Sequence, residues 1–125
     1  MIAGVGIDLC EITRMEKLLE DDRFLRRFFS AVEQAYILEK GKGAPQTMAG
    51  IFAAKEALMK ALGCGLAYGK LKDICVLHDP AGAPYYALEG EYARIAEEKG
   101  IGPLYLSITH EGGMAAAVCI AEKDG

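Results

Sequence analysis

The feature that most constrains this chain is the run at residues 46–62, QTMAGIFAAKEALMKAL, which is dominated by strong helix formers and is followed at once by Gly63. Ala, Leu, Met, Lys and Glu are strong helix formers, and a glycine just past the last turn is a common terminator. At 100° per residue, Met48, Ile51, Phe52, Met59 and Leu62 fall on one stripe, as they would on a helix laid against a core. Lys55 falls inside that stripe, and Glu56 falls on its edge with Lys60 one turn further on. A lysine on an apolar face must snorkel, meet an anion or face another subunit. The Glu56–Lys60 spacing also suits an ordinary surface ion pair worth a few tenths of a kcal/mol.

Around this helix the chain alternates short elements. Residues 2–9 are apolar and Gly-punctuated, and read as a strand that ends on the carboxylate of Asp8. Thr13 with Glu16 has capping-box spacing and should open a helix to about residue 19. Asp21-Asp22 should cap a short helix holding Phe24, Leu25, Phe28 and Phe29, and Ser30 with Glu33 is a second capping box, for a helix ended by Gly41. Residues 40–45, KGKGAP, read as a basic Gly-rich loop. Strands are expected at 71–78 and 85–88 around the turn at 79–84, and then a helix at 91–99 stopped by Gly100 and Gly102-Pro103. A closing hairpin, 104–109 with 114–121, turns at Glu111-Gly112-Gly113. The expected fold is α+β: one domain over residues 1–125, with a small mixed or antiparallel sheet packed by a long central helix and shorter helices.

Composition narrows the function. A length of 125 residues with 52% hydrophobic and 26% charged suits one globular domain. No apolar run reaches the roughly 18 residues of a membrane span, and the N-terminus has no basic region ahead of an apolar one. Cys10, Cys64, Cys75 and Cys119 lack C-x-x-C spacing and read as buried free thiols in a reduced compartment, so the expected location is the cytoplasm. A net charge of −4 argues against nucleic acid as the main partner. Residues 1–62 nevertheless balance 9 basic against 9 acidic residues, whereas 63–125 carry 5 against 9. Arg14, Lys17, Arg23, Arg26 and Arg27 cluster early, as a solvated face or as a docking patch for an acidic partner.

Asp8 caps a turn or serves as a hard oxygen ligand; with Glu56 it makes the donor pair that Mg²⁺ takes before completing its shell with water and phosphate. Ser107 and Thr109 should point to one side of their strand, Ile108 and His110 to the other. No P-loop or dinucleotide fingerprint is present.

The segment F-A-A-K-E-A at residues 52–57, continued by Lys60-Ala61-Leu62-Gly63, resembles the central motif of the holo-acyl-carrier-protein synthases, the small bacterial 4′-phosphopantetheinyl transferases. Gly6-Ile7-Asp8, Gly82-Ala83-Pro84 and Ser107-Ile108-Thr109-His110 match that family's other motifs in order, so the likeness covers nearly the whole chain. The resemblance implies Mg²⁺-dependent transfer of the 4′-phosphopantetheine arm of coenzyme A to a serine of an acidic apo acyl carrier protein, releasing 3′,5′-ADP. It also implies a homotrimer with active sites between subunits, an arrangement that would account for Lys55 and the wide apolar face. By resemblance Asp8 and Glu56 hold the metal, Lys60 offsets phosphate charge, and either Glu56 or a metal-bound water takes the serine proton. Gly63-Cys64-Gly65 reads from its residues as a plain helix cap and loop, or as a loop in which Gly63 and Gly65 let substrate approach the backbone. His110 with Ser107 or Thr109 touches the nucleotide phosphates, and Lys42 lies where the family has a basic loop near the 3′-phosphate. Arg14, Lys17, Arg23, Arg26 and Arg27 would face the carrier. Two departures stand out: Ile51 where members commonly have Arg, and Cys64 between the two glycines where a hydroxyl is common. Competing readings are a coenzyme A binding module without turnover, and a scaffold in which Lys55 and Glu56 pair between subunits.

Overall fold

The computed structural model describes residues 1–65 and 69–125. The order is β1 (Ile2–Glu11), α1 (Ile12–Leu18), α2 (Asp22–Phe28), α3 (Ala31–Leu38), α4 (Ala44–Leu62), β2 (Ile74–His78), β3 (Pro84–Leu88), α5 (Gly90–Glu98), β4 (Ile101–Glu111) and β5 (Met114–Lys123). Single turns of 3₁₀ helix lie at Gly41–Gly43 and Leu71–Asp73. The strands form two antiparallel sheets, β1-β5-β4 and the β2-β3 hairpin, and the α+β expectation holds without any parallel pairing.

Contact between β1 and α4 sets the fold. Gly4 and Gly6 face the helix, where a Cβ built at either position would lie 1.9 Å from the carbonyl oxygen of Ala61 or Ala57. β5 offers Ala115, Ala117, Cys119 and Ala121 on the same face, all buried. Small residues on both sides let the helix backbone settle onto the sheet. The helix is therefore buried nearly all round, with 14 of its 19 residues inside, rather than along the one stripe its apolar residues suggest. Met48, Ile51, Phe52, Met59 and Leu62 are buried, and away from the sheet the helix packs on α1, α3 and β2, with Phe52 meeting Phe24 of α2.

Local signals hold in part. Ser30 and Glu33 make the expected capping box, Asp21 caps α2 by accepting from the Arg23 N–H, and Gly63 closes α4 in the left-handed region at φ 70°. Gly112 and Gly113, at φ 60° and 81°, turn the β4-β5 hairpin. The Thr13–Glu16 capping box does not form. β1 runs on to Glu11, the Ile12 N–H bonds the Gly113 carbonyl, and α1 starts there with no side-chain cap. The basic loop at 40–45 is shorter than expected, since α4 begins at Ala44 with Pro45 in its first turn, where proline fits. β2 begins at Ile74, after the Leu71–Asp73 turn, rather than at 71. β4 begins at Ile101, its pairing register shifting before Leu104 to take up Gly102-Pro103.

Candidate functional site

Asp8 follows Gly6 on the helix-facing side of β1, and Glu56 immediately precedes Ala57, the residue that lies over Gly6. The glycine contact therefore brings the two carboxylates together. Burial pushes the Glu56 carboxyl above the ordinary carboxylate range; the Asp8 charge and a hydrogen bond shared with Asp8 push it further, with Arg14 and Lys60 pulling back. Lys60 turns toward Asp8 rather than Glu56: Nζ donates to Asp8 Oδ1 at 2.9 Å and to the Ile7 carbonyl at 3.0 Å. That contact raises the affinity of the half-exposed ammonium for its proton. Two crowded carboxylates at a solvent-facing corner, with oxygen donors only, fit Mg²⁺, which needs one or two such ligands plus water and phosphate. Among the described residues no three His, Cys, Asp or Glu gather as a metal cage, so the pair would share the ion with substrate.

Lys55 meets an anion inside its own chain. Its ammonium, fully buried, donates to Glu33 Oε1 (2.8 Å) and to the carbonyls of Leu71 (3.2 Å) and Ile74 (2.7 Å). Burial pulls it below the ordinary lysine range while Glu33 pulls the other way. Glu33 Oε1 also accepts from the Ser30 N–H and Oε2 from the Val76 N–H. This corrects both the inter-subunit role expected for Lys55 and the scaffold reading built on a Lys55–Glu56 pair: the ion-pair partners are Glu33 for Lys55 and Asp8 for Lys60.

His110 lies elsewhere. It lines a groove of about 180 Å³ with Gln46, Thr47, Ile51, His78 and Pro84, and its Nε2 is 2.9 Å from the Gln46 amide nitrogen. His78 stacks on Tyr36 at 3.9 Å, and Lys40 Nζ sits 4.3 Å over the Tyr36 ring. Thr47 precedes Glu56 by nine residues and Ile51 by five, so at 100° per residue they lie about 180° and 140° around α4 from it. The carboxylate corner and the His110 groove thus occupy opposite flanks of one helix. Ser107 and Thr109 project from the other face of the sheet, in register with Val118 and Ala116, and do not share the groove with His110. Lys42, in the Gly41–Gly43 turn, is exposed and outside that groove, while Ile51 forms a buried part of its wall. Gly63 and Gly65 lie at and just past the C-terminal end of α4, seven and nine residues on from Glu56 and outside the groove; the Gly65 carbonyl accepts from the Tyr92 hydroxyl. Cys64 is half-buried, and Cys10, Cys75 and Cys119 are buried.

Arg14 and Lys17 line a hollow of about 540 Å³ with Leu18 and Phe24, and Arg14 lies over the Phe52 ring. Arg23 and Arg27 line the next hollow, again with Phe24. Arg26 is exposed but lines neither.

The outer face of the three-stranded sheet is apolar along β1 and β5, with Ser107 and Thr109 exposed on β4. Val5, Ile7 and Leu9 are 57–64% exposed, beside Val118, Ile120 and Tyr105.

Residues 4–119 match the family model described as the 4′-phosphopantetheinyl transferase superfamily. A holo-[acyl-carrier-protein] synthase of Treponema denticola is 49% identical over 122 residues, covering 98% of this chain and 99% of that one. The crystal structure of a holo-[acyl-carrier-protein] synthase from Neisseria meningitidis superposes with a TM-score of 0.88 at 31% identity, over 98% of this chain and all of that one. A Helicobacter pylori holo-[acyl-carrier-protein] synthase in complex with coenzyme A superposes with a TM-score of 0.80 at 35% identity, over 94% and 99%.

Proposed function

This chain belongs to the 4′-phosphopantetheinyl transferase superfamily as a holo-[acyl-carrier-protein] synthase, and from that premise we propose how its own residues carry out the transfer. The substrates are coenzyme A and a serine of an apo acyl carrier protein, and the products are the holo carrier and 3′,5′-ADP. The serine Oγ bonds to the phosphorus that bears the pantetheine arm, the bond from that phosphorus to the bridging oxygen breaks, and the oxygen leaves with the nucleotide. Asp8 and Glu56 would hold Mg²⁺; when bound, the ion supplies charge neutralisation at the diphosphate. Lys60, tethered to Asp8, sits beside the reacting phosphate and offsets its charge. With both carboxylates holding the ion, the serine proton would go to Glu56 or to a water held beside it. Phosphoryl transfer demands little beyond positioning and charge, which suits a corner with no covalent nucleophile.

The observation that carries this reading is the meeting of Asp8, Glu56 and Lys60, residues far apart in sequence, at one corner. The opposite-flank geometry supports an active site shared between copies, in which the His110 groove of one subunit holds the nucleotide end of coenzyme A bound at its neighbour's corner. The exposed Val5, Ile7 and Leu9 face supports a homotrimer in which that surface is covered. Arg14, Lys17, Arg23, Arg26 and Arg27 would receive the acidic carrier, and the enzyme would work in the cytoplasm. No helix among the described residues is long and apolar enough to cross a membrane.

The test is incubation with coenzyme A, Mg²⁺ and several apo carriers. The expected result is a mass gain of one phosphopantetheine on the carrier, lost in Asp8→Ala and on chelation. No gain with any carrier would refute it. Sedimentation should give three chain masses; a monomer at micromolar concentration would refute the shared site.

A further inference from the structure

Beyond the five cations already assigned to carrier docking, Lys70 and Lys72 lie on a groove of which the proposed function uses only Arg27. The groove, of about 490 Å³, is lined by Arg27, Phe28, Gly69, Lys70, Leu71 and Lys72. It shares Arg27 and Phe28 with the hollow of Arg23 and Phe24, which in turn shares Phe24 with the hollow of Arg14 and Lys17. Through these shared residues the three hollows adjoin as a trough, from the end of β1 across α2 to the turn before β2. Six cations line it against two acids, Glu11 and Asp21, on a chain of net charge −4. Among the described residues only Arg23 of the six has an ion-pair partner within 4 Å, its neighbour Asp21. Arg14 and Arg27 lie over the Phe52 and Phe28 rings at 5.4 and 5.3 Å, and Phe24 and Phe28 line the hollows.

The far end of the trough is rigid. The Asp73 N–H bonds the Lys70 carbonyl, and buried Lys55 takes the carbonyls of Leu71 and Ile74, so the turn bearing both lysines is tied to the core. The backbone there needs no ordering on binding, so the cost is confined to the two lysine side chains.

We propose that this end of the trough is a second anchor for the acceptor carrier protein: an acidic surface bound at Arg14 and Arg23 continues to Lys70 and Lys72, with an apolar side chain seated against Phe28. This rests on the transferase reading. Among ligands with surface chemistry, an acidic protein is favoured over a free phosphate because the cations are spread along three joined hollows instead of converging on one point.

The experiment compares wild type, Arg14→Glu and the double variant Lys70→Glu/Lys72→Glu in steady-state transfer at several salt concentrations. Both lysines are exposed, so the double variant should keep its thermal midpoint. The expected result is a carrier KM raised about tenfold with a flatter salt dependence, while kcat and the KM for coenzyme A hold. A carrier KM within twofold of wild type, with Arg14→Glu impaired, would overturn the second anchor and leave the transferase intact. A changed oligomeric mass would assign the groove to a contact between copies and overturn the proposal too. If wild type neither binds nor modifies any acidic carrier, the transferase reading fails and takes this one with it.

Discussion

A single methyl group added at Gly6 would lie 1.9 Å from the Ala57 carbonyl oxygen, with the Ala61 nitrogen at 2.8 Å. Non-bonded heavy atoms settle near 3.5 Å, so α4 must withdraw from β1 by roughly 1.5 Å to admit it. No side chain can rotate away, because the obstacle is helix backbone, and overpacking of this kind costs about 3 kcal/mol. That is a large share of the ~5–15 kcal/mol that holds a domain together. The functional loss should exceed the stability loss. Asp8 is two residues along β1 on the same face, and Glu56 is the helix residue next to Ala57, so withdrawal parts the two carboxylates directly. A misplacement of about 1 Å commonly costs about 10²-fold in rate. Urea unfolding gives the first quantity; transfer measured at a temperature where Gly6→Ala is fully folded gives the second. Gly43→Ala is the control, since its Cβ would meet only Lys40 Cβ at 3.8 Å, and it should stay within about 0.5 kcal/mol of wild type. An unchanged unfolding midpoint for Gly6→Ala, or a folded variant of normal kcat, would show that glycine contact does not set the geometry of the corner.

Lys55→Met should cost about 3–5 kcal/mol in urea unfolding, because it strands the Glu33 carboxylate in the core. Adding Glu33→Leu should not restore stability, since the Ser30 and Val76 N–H groups then lose their acceptor; a double variant as stable as wild type would contradict this. Glu56→Gln should abolish transfer while leaving the protein folded. Because the folded-state Glu56 binds its proton more tightly than an unfolded carboxyl does, wild-type stability relative to Glu56→Gln should rise as pH falls from above that raised value to the ordinary carboxylate value. A difference that is flat across pH 3–8 in thermal unfolding would count against the crowded pair, and Mg²⁺ should raise the midpoint of wild type but not of Glu56→Gln.

What was legible in the sequence was mostly local. Ser30–Glu33, Gly63 and Gly112-Gly113 each act through neighbours within a few residues, and each behaves as its spacing suggests. Thr13–Glu16 has equally good spacing and fails, because a remote carbonyl, Gly113, claims the Ile12 N–H first. Asp8 and Glu56 could be chosen by residue type and by resemblance to a family, but their meeting depends on Gly4 and Gly6 opposing Ala61 and Ala57, which no spacing reveals. Glu33 was hidden for a related reason: its capping role is real and occupies only part of one oxygen's capacity, while the same carboxylate also holds Lys55 and Val76. A charged residue inside an apolar stripe was the available signal, and it called for a buried acid that a local explanation had already taken.

The same helix that joins the corner also separates it from the groove. Residues 56 and 60 lie on one flank of α4 and residues 47 and 51 on the other, with the helix backbone and its buried alanines between them. No side-chain rotation carries His110 around that barrier to Asp8. On the proposed function, one coenzyme A must use both sets of residues, so the second set has to come from another copy, docked where β1 exposes Val5, Ile7 and Leu9. This makes assembly a condition of activity. A charge placed on that face, as in Ile7→Glu, should leave the single chain folded, split the oligomer and remove transfer together. Mixing it with Asp8→Ala, which keeps the face and the groove but loses the corner, should restore little, because an Ile7→Glu chain cannot dock. A dispersed Ile7→Glu protein that transfers at the wild-type rate would show that corner and groove serve separate purposes.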